Sequence, residues 1–292
     1  MAEARAAGVT DVVAMGVDGE TSRQVVSWSA SIPGVWAAVG HHPLNQEGPD
    51  VGLLRELAAN PRVVAIGEVG LDHEDEHRGP HDAQERWFAA CCELACELDL
   101  PVCVHVRGTA QDVLDALRRH PGLRGVMHYW TLEWEWAERF LELGFHISFS
   151  GVITRATREG VREVARRVPA DRLLLETDAP WGTPRRRSGS MRPAWMVDTA
   201  RTVAEVRGCS VEELDVHEVV LPEPAPRPGP GAHSGLRRPG CGSGRVSRSS
   251  ARAKAGTGGA PSRRWRRPTW RRSRWPASRR SGSTRCTPSC RG

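Results

Sequence analysis

Seven short apolar runs alternate with longer stretches of helical period along the chain, and this alternation most limits what the sequence can fold into. The runs are DVVAM (11–15), VWAAV (35–39), VVAIG (63–67), PVCVHV (101–106), RGVMH (124–128), FHISF (145–149) and RLLLET (172–177). Strand followed by helix, repeated, implies parallel strands joined by right-handed crossovers. Strands that are apolar almost throughout are covered on both faces, as in a barrel or a doubly wound sheet. The intervening segments carry helix signals. Ala83, Trp87, Cys91, Leu94 and Leu98 recur at steps of three and four. Thr109 and Asp112 have capping-box spacing, and Pro193 and Gly208 bracket a further helix. A (β/α)8 barrel needs eight such units and typically about 250 residues; seven units are one short.

Charge divides the chain in two. Residues 1–220 hold 23 arginines against 34 acidic residues, whereas residues 221–292 hold 17 arginines, one lysine and one acidic residue, Glu223. The basic balance of the whole therefore belongs to the end of the chain. After Leu214 the amphipathic period fails, and Pro, Gly, Ser and Arg dominate. Such a composition buries too little apolar surface to offset chain entropy, so 215–292 is expected to be a disordered tail and 1–214 the folded domain. The eight cysteines show no paired metal spacing and read as buried free thiols of a reducing compartment. No apolar stretch approaches the ~20 residues of a membrane span, and MAEARAAGVTD lacks the apolar core of a signal peptide. The expectation is a cytoplasmic protein that does not enter membranes.

In a parallel α/β barrel the chemistry gathers at the C-terminal ends of the strands. That rule selects His41 and His42 after the second run, Glu68 after the third, and His105 and Arg107 after the fourth. It then selects His128 after the fifth, and Glu176 and Asp178 after the seventh. A lone histidine on an apolar strand is more often a hydrogen-bonded core residue than a ligand. Several imidazoles and carboxylates at the same end of successive strands form a ligand set for Zn, Mn or similar divalent ions in hydrolases. A carboxylate such as Glu68 can bridge two ions, which together activate water for attack at phosphorus.

AVGHHP, AIGEVGLD, LPVCVHVRGTAQDVL, GVMHYW, GFHISFSG, LLLETDAPW and RPAWMVDTARTVAEVRG occur in this order between Val9 and Leu214. They resemble the successive motifs of the TatD-related metal-dependent deoxyribonucleases. The resemblance implies a TIM barrel of the amidohydrolase-like type. It also implies up to two divalent ions (Mg, Mn or Zn) and hydrolysis of phosphodiester bonds, with DNA as the expected substrate. The family's bridging glutamate falls on Glu68, its two further histidine ligands on His105 and His128, and its aspartate on Asp178. Glu68 and Asp178 are the expected catalytic groups, with Asp178 also placed to help deprotonate water. His42 and Arg107 match positions near the site and are expected to hold substrate phosphate, Arg107 through a two-pronged contact.

The sequence departs from that pattern at both ends. The family's first strand carries an Asp-x-His-x-His motif that binds one ion, and no such motif occurs here. The barrel is therefore expected to lack its first strand, which agrees with the count of seven. At the other end the tail reads either as a basic arm for non-specific nucleic-acid binding or as out-of-frame translation of a GC-rich gene. Trp265, Trp270 and Trp275 would stack in the arm; the abrupt change, with one Lys against 40 Arg in the chain, favours the frameshift. A catalytically inactive remnant, or a protein that binds nucleic acid through this tail, is the competing functional expectation. Two smaller features complete the reading. Trp130 is placed to wall the site while Trp134 and Trp136 pack, and Arg185 to Arg187 sit on a loop near the barrel mouth where they could guide an anion.

Overall fold

Each of the seven apolar runs forms a strand in the computed structural model, which describes residues 1–74 and 81–214. The strands are β1 (Val12–Met15), β2 (Val35–Val39), β3 (Val63–Asp72), β4 (Val102–Arg107), β5 (Gly125–Met127), β6 (His146–Phe149) and β7 (Leu173–Leu175). All neighbours pair in parallel, and their order in the sheet is their order in the sequence. Such a sheet curls toward a barrel. Among the described residues β1 pairs only with β2 and β7 only with β6, so the barrel is open, seven-stranded and of TIM type. The tail expected to be disordered lies outside the described residues.

Burial follows the pattern that parallel strands demand. Ala37, Val39, Ile66, Val69, Val104, Met127 and Ile147 are fully buried, whereas edge strand β1 is only half-buried. Around the sheet run α1 (Ala2–Ala6), α2 (Gly19–Ser31), α3 (Val51–Ala58), α4 (His81–Leu98), α5 (Ala110–Arg118), α6 (Trp134–Glu142), α7 (Glu159–Arg167) and α8 (Met196–Arg207). Asp18 starts α2 in a reciprocal capping box with Thr21, satisfying two backbone donors that the helix leaves free. Gly208 ends α8 in the left-handed conformation, φ 68°, which only glycine adopts without strain. Among the described residues no helix is long and apolar enough to cross a membrane.

Four expectations are corrected. β3 does not stop at Gly67 but runs ten residues to Asp72, because a register shift between Ile66 and Val69 lets the strand resume pairing with β4. On α4 the expected Ala83, Cys91 and Leu94 are buried, joined by Gln84, Phe88, Cys92 and Ala95, whereas Trp87 and Leu98 lie at the margin of the stripe. Cys96 is exposed, while Cys91, Cys92 and Cys103 are buried free thiols. Thr109 caps α5, but its hydroxyl donates to the Asp112 carboxylate instead of accepting a backbone N–H.

Candidate metal centre

Glu68 sits inside β3 at the register shift, not at the strand's end. Beyond the shift, period-two alternation puts Glu68, Gly70 and Asp72 on one face. The sheet register sets Gly70 opposite His105 of β4. A side chain at Gly70 would collide with that strand: its Cβ would come 2.0 Å from the His105 carbonyl oxygen, and its φ is 146°. His105 thus lies between two carboxylates. Its Nδ1 is 3.1 Å from Glu68 Oε1 and its Nε2 is 3.1 Å from Asp72 Oδ2.

Two more imidazoles converge on the same oxygen. His128 Nε2, just past β5, is 2.7 Å from Glu68 Oε1, and His42 Nε2, past β2, is 3.3 Å away. Donor atoms of His42, Glu68 and His105 all lie within 4.8 Å of one another. The outward face of His128 meets a carboxylate in turn, with Nδ1 3.5 Å from Glu176 Oε1. The Tyr129 backbone N–H donates to that same oxygen at 2.7 Å.

Charge in this cluster is strongly perturbed. Burial works to raise the Glu68 carboxyl, yet the His128 charge and hydrogen bonds from three imidazoles hold it well below the usual range. Burial works to lower His128, but the Glu68 charge and its carboxylate partners lift it well above an ordinary histidine. His105 is raised by Asp72 and Glu68 against the same opposition from burial. Asp178, in the left-handed region at φ 54°, is pushed up to about 7, by burial first and then by the like charges of Glu176 and Glu68, against an opposing effect of His128. Among the described residues its carboxylate makes no hydrogen bond. An underneutralised, half-buried carboxylate within electrostatic reach of three imidazoles that share one oxygen suits a divalent cation.

The expected site residues fare unequally. Glu68, His105 and His128 come together, and His42 joins them at closer range than a distant phosphate contact would require. Asp178 lies within their electrostatic reach. Arg107 does not join: it is exposed and donates from Nε to Glu74 Oε2 at 2.7 Å. His41 turns aside, edge-on to Trp87, where burial lowers its pKa. Trp130 is not a wall of the site but a core residue, 1% exposed and packed edge-on to Phe140. The residue nearer the site is Tyr129, with its ring centroid 6.3 Å from that of His128. Glu176, which the strand-end rule selected, serves as the outer partner of His128; Asp72 is a partner that the rule did not select, and the alternation from Glu68 to Asp72 was the available signal for it.

Comparison with known proteins agrees with this geometry. The family described as TatD related DNase matches residues 1–219. A protein of Escherichia coli (strain K12) named "Uncharacterized metal-dependent hydrolase YcfH" is 44% identical over 179 residues, 60% of this chain and 67% of that protein. The "3'-5' ssDNA/RNA exonuclease TatD" of Erwinia tasmaniensis is 36% identical over 223 residues, 72% of this chain and 86% of the relative. Among solved structures, the TatD homologue YJJV from E. coli K12 superposes with a TM-score of 0.69 at 29% identity, over 73% of this chain and 85% of its own. The chain, with its histidines gathered on one buried glutamate, belongs to the TatD-related family of metal-dependent hydrolases.

Proposed function

We propose that this protein hydrolyses phosphodiester bonds in single-stranded nucleic acid, DNA foremost, at the Glu68 centre. One observation carries the reading: three imidazoles converge on one glutamate oxygen beside an underneutralised aspartate, in a fold whose relatives include named exonucleases. Glu68, His105 and His128 would hold a divalent ion, with Asp178 as a further oxygen donor. Such an ion supplies Lewis acidity toward a phosphoryl oxygen and lowers the pKa of nearby water.

The chain's own residues supply the rest. Asp178, titrating at about 7, is suited to accept the proton that water loses as it attacks phosphorus. One P–O bond forms from water and one breaks to the departing sugar oxygen, which leaves with a proton. His42, at the rim of the cluster, is placed to contact the phosphate. Arg107 would share any substrate phosphate with Glu74, which already takes its Nε–H.

Asp72 is assigned a positioning role. It is buried, held by Gln84 through paired hydrogen bonds to its backbone, and presents Oδ2 to the outer nitrogen of His105. That contact fixes which nitrogen of His105 faces Glu68. Asp72→Asn is expected to weaken Mn binding by about ten- to hundredfold, the usual cost of losing such a partner. Titration calorimetry would show it, and an unchanged affinity would remove Asp72 from the assignment.

The function is tested with a 5'-labelled single-stranded oligonucleotide and the full chain in Mg, Mn or Zn. Shortening from the 3' end, abolished by chelation and restored by metal, is the expected result. An intact oligonucleotide in every metal, with salt-sensitive binding lost on deleting 221–292, would favour the competing reading of a nucleic-acid-binding protein without activity.

A further inference from the structure

Ten of the 22 arginines among the described residues pair with a nearby acid. Arg55 pairs with Glu97 at 2.6 Å, Arg124 with Asp99 at 2.7 Å and Arg166 with Glu159 at 2.7 Å. Arg155, Arg158 and Arg185 are among those without an acid partner. Among the described residues their guanidiniums form no ion pair and no hydrogen bond. Arg155 and Arg185 line one open groove of about 560 Å3, between the segment after β6 and the loop from β7 to α8.

That groove is a built feature. The Arg185 backbone N–H donates to Thr154 Oγ1 at 2.8 Å, tying the loop to the short 3-10 turn Gly151–Thr154. The Thr183 hydroxyl donates across the loop to the Gly189 carbonyl at 2.8 Å. Arg187 is anchored by Asp198 at 2.7 Å, so it frames the groove while Arg155 and Arg185 remain available.

The groove also adjoins the metal centre. Gly182 packs so closely on Tyr129 that an added Cβ would lie 3.2 Å from the ring, and Tyr129 directly follows His128. Burial and the Asp178 charge raise the Tyr129 phenol, while Arg155 and Arg158 oppose them, as expected of a ring between the carboxylates and the arginines. Trp181 lies in the same loop, 72% exposed, with its backbone N–H donating to the Asp178 carbonyl at 2.7 Å. A single exposed tryptophan is unremarkable on a protein surface. Here it sits in the loop that joins the aspartate of the centre to the unpaired arginines.

We propose that this groove is a second anion subsite for single-stranded nucleic acid. Arg155 and Arg185 take a phosphate beside the scissile one, and Trp181 stacks on a base between them. Planar guanidiniums match phosphate oxygens in two-pronged fashion, and an exposed indole offers a face to any base. The proposal rests on the nuclease reading above and adds to it where the strand lies relative to the centre.

The test compares the full chain with Arg155→Glu/Arg185→Glu and with Arg271→Glu/Arg272→Glu, which makes the same charge change in the tail. The substrates are bis(p-nitrophenyl) phosphate, a diester with no flanking phosphate, and hexathymidylate. The groove variant is expected to raise KM for the hexamer, relative to KM for the small diester, about tenfold or more beyond the tail variant. It should also flatten the salt dependence by roughly 0.7 in log–log slope, the contribution of one phosphate contact on a single strand. Trp181→Ala should raise the hexamer KM roughly fivefold or more, with Trp181→Phe recovering most of the loss. A ratio equal in the two double variants overturns the subsite. If the wild type hydrolyses neither diester, the nuclease reading fails and binding of labelled hexamer in EDTA decides the subsite. Groove-variant affinity tenfold below that of the tail variant supports it, and equal affinities overturn it. Should the charge reversal unfold the protein, Arg155→Ala/Arg185→Ala carries the same comparisons.

Discussion

Glu68→Gln is expected to abolish metal-dependent hydrolysis and to weaken divalent-ion binding by more than the ten- to hundredfold, or about 1.4–2.7 kcal/mol, that loss of an outer partner costs. Three imidazole nitrogens lie within 3.3 Å of one Glu68 oxygen, so no other single change removes as much of the centre. The substitution also strips buried His128 of its main counter-charge. Removing one member of a buried pair typically costs about 3–5 kcal/mol. For a fold of this size that corresponds to a fall in Tm of roughly 6–20 °C. Differential scanning calorimetry without metal, followed by titration with Mn, separates the two effects. A variant that binds Mn within tenfold of the wild type would show that the ion is held elsewhere.

Raising the pH from 6 to 8 is expected to strengthen Mn binding, by about tenfold per pH unit for each proton displaced. The protons are those on His128, held well above its ordinary value by Glu68 against the effect of burial, and on Asp178, which burial pushes to about 7. In the metal-free protein the two act in the same direction. The stabilisation from His128 is complete below its ordinary 6.5 and is lost as the pH climbs through its raised value. Asp178 holds its proton more tightly in the folded chain than in the unfolded one, so the stabilisation that this contributes is complete below its ordinary 3.8 and is lost as the pH rises to about 7. The metal-free Tm should therefore decline above neutrality, and the rise in Tm on adding Mn should grow over the same range. Binding that is flat from pH 6 to 8 would mean that neither group meets the ion.

The strands were legible because each is a short apolar run bounded by turn residues, and all seven formed in sequence order. The open barrel was legible for the same reason, as a count one short of eight. What the sequence concealed lies at the register shift in β3. Gly67 ends an apolar run by any local criterion, yet pairing with β4 resumes at Val69 and carries the strand to Asp72. Only that register reveals His105 between Glu68 and Asp72, because the contact joins residues on adjacent strands. On α4 the apolar spacing marked Ala83, Cys91 and Leu94 but not Gln84, a polar residue buried to bind the Asp72 backbone. Trp130 was assigned to the site on proximity in sequence, but the chain leaves the strand at Met127 and turns through left-handed Tyr129, so Trp130 packs in the core and Tyr129 stays beside His128. Arg107 is at the expected end of its strand, where Glu74 engages it. No local pattern in the sequence foretells that pairing.

The central claim is that the Glu68 cluster holds the ion that hydrolysis requires, and anomalous diffraction from crystals soaked in Mn tests it most directly. The account predicts a peak bounded by Glu68, His105 and His128, with Asp178 drawn toward it, and its loss in Glu68→Gln crystals. A peak at another site in crystals of protein that is active with Mn would contradict the account.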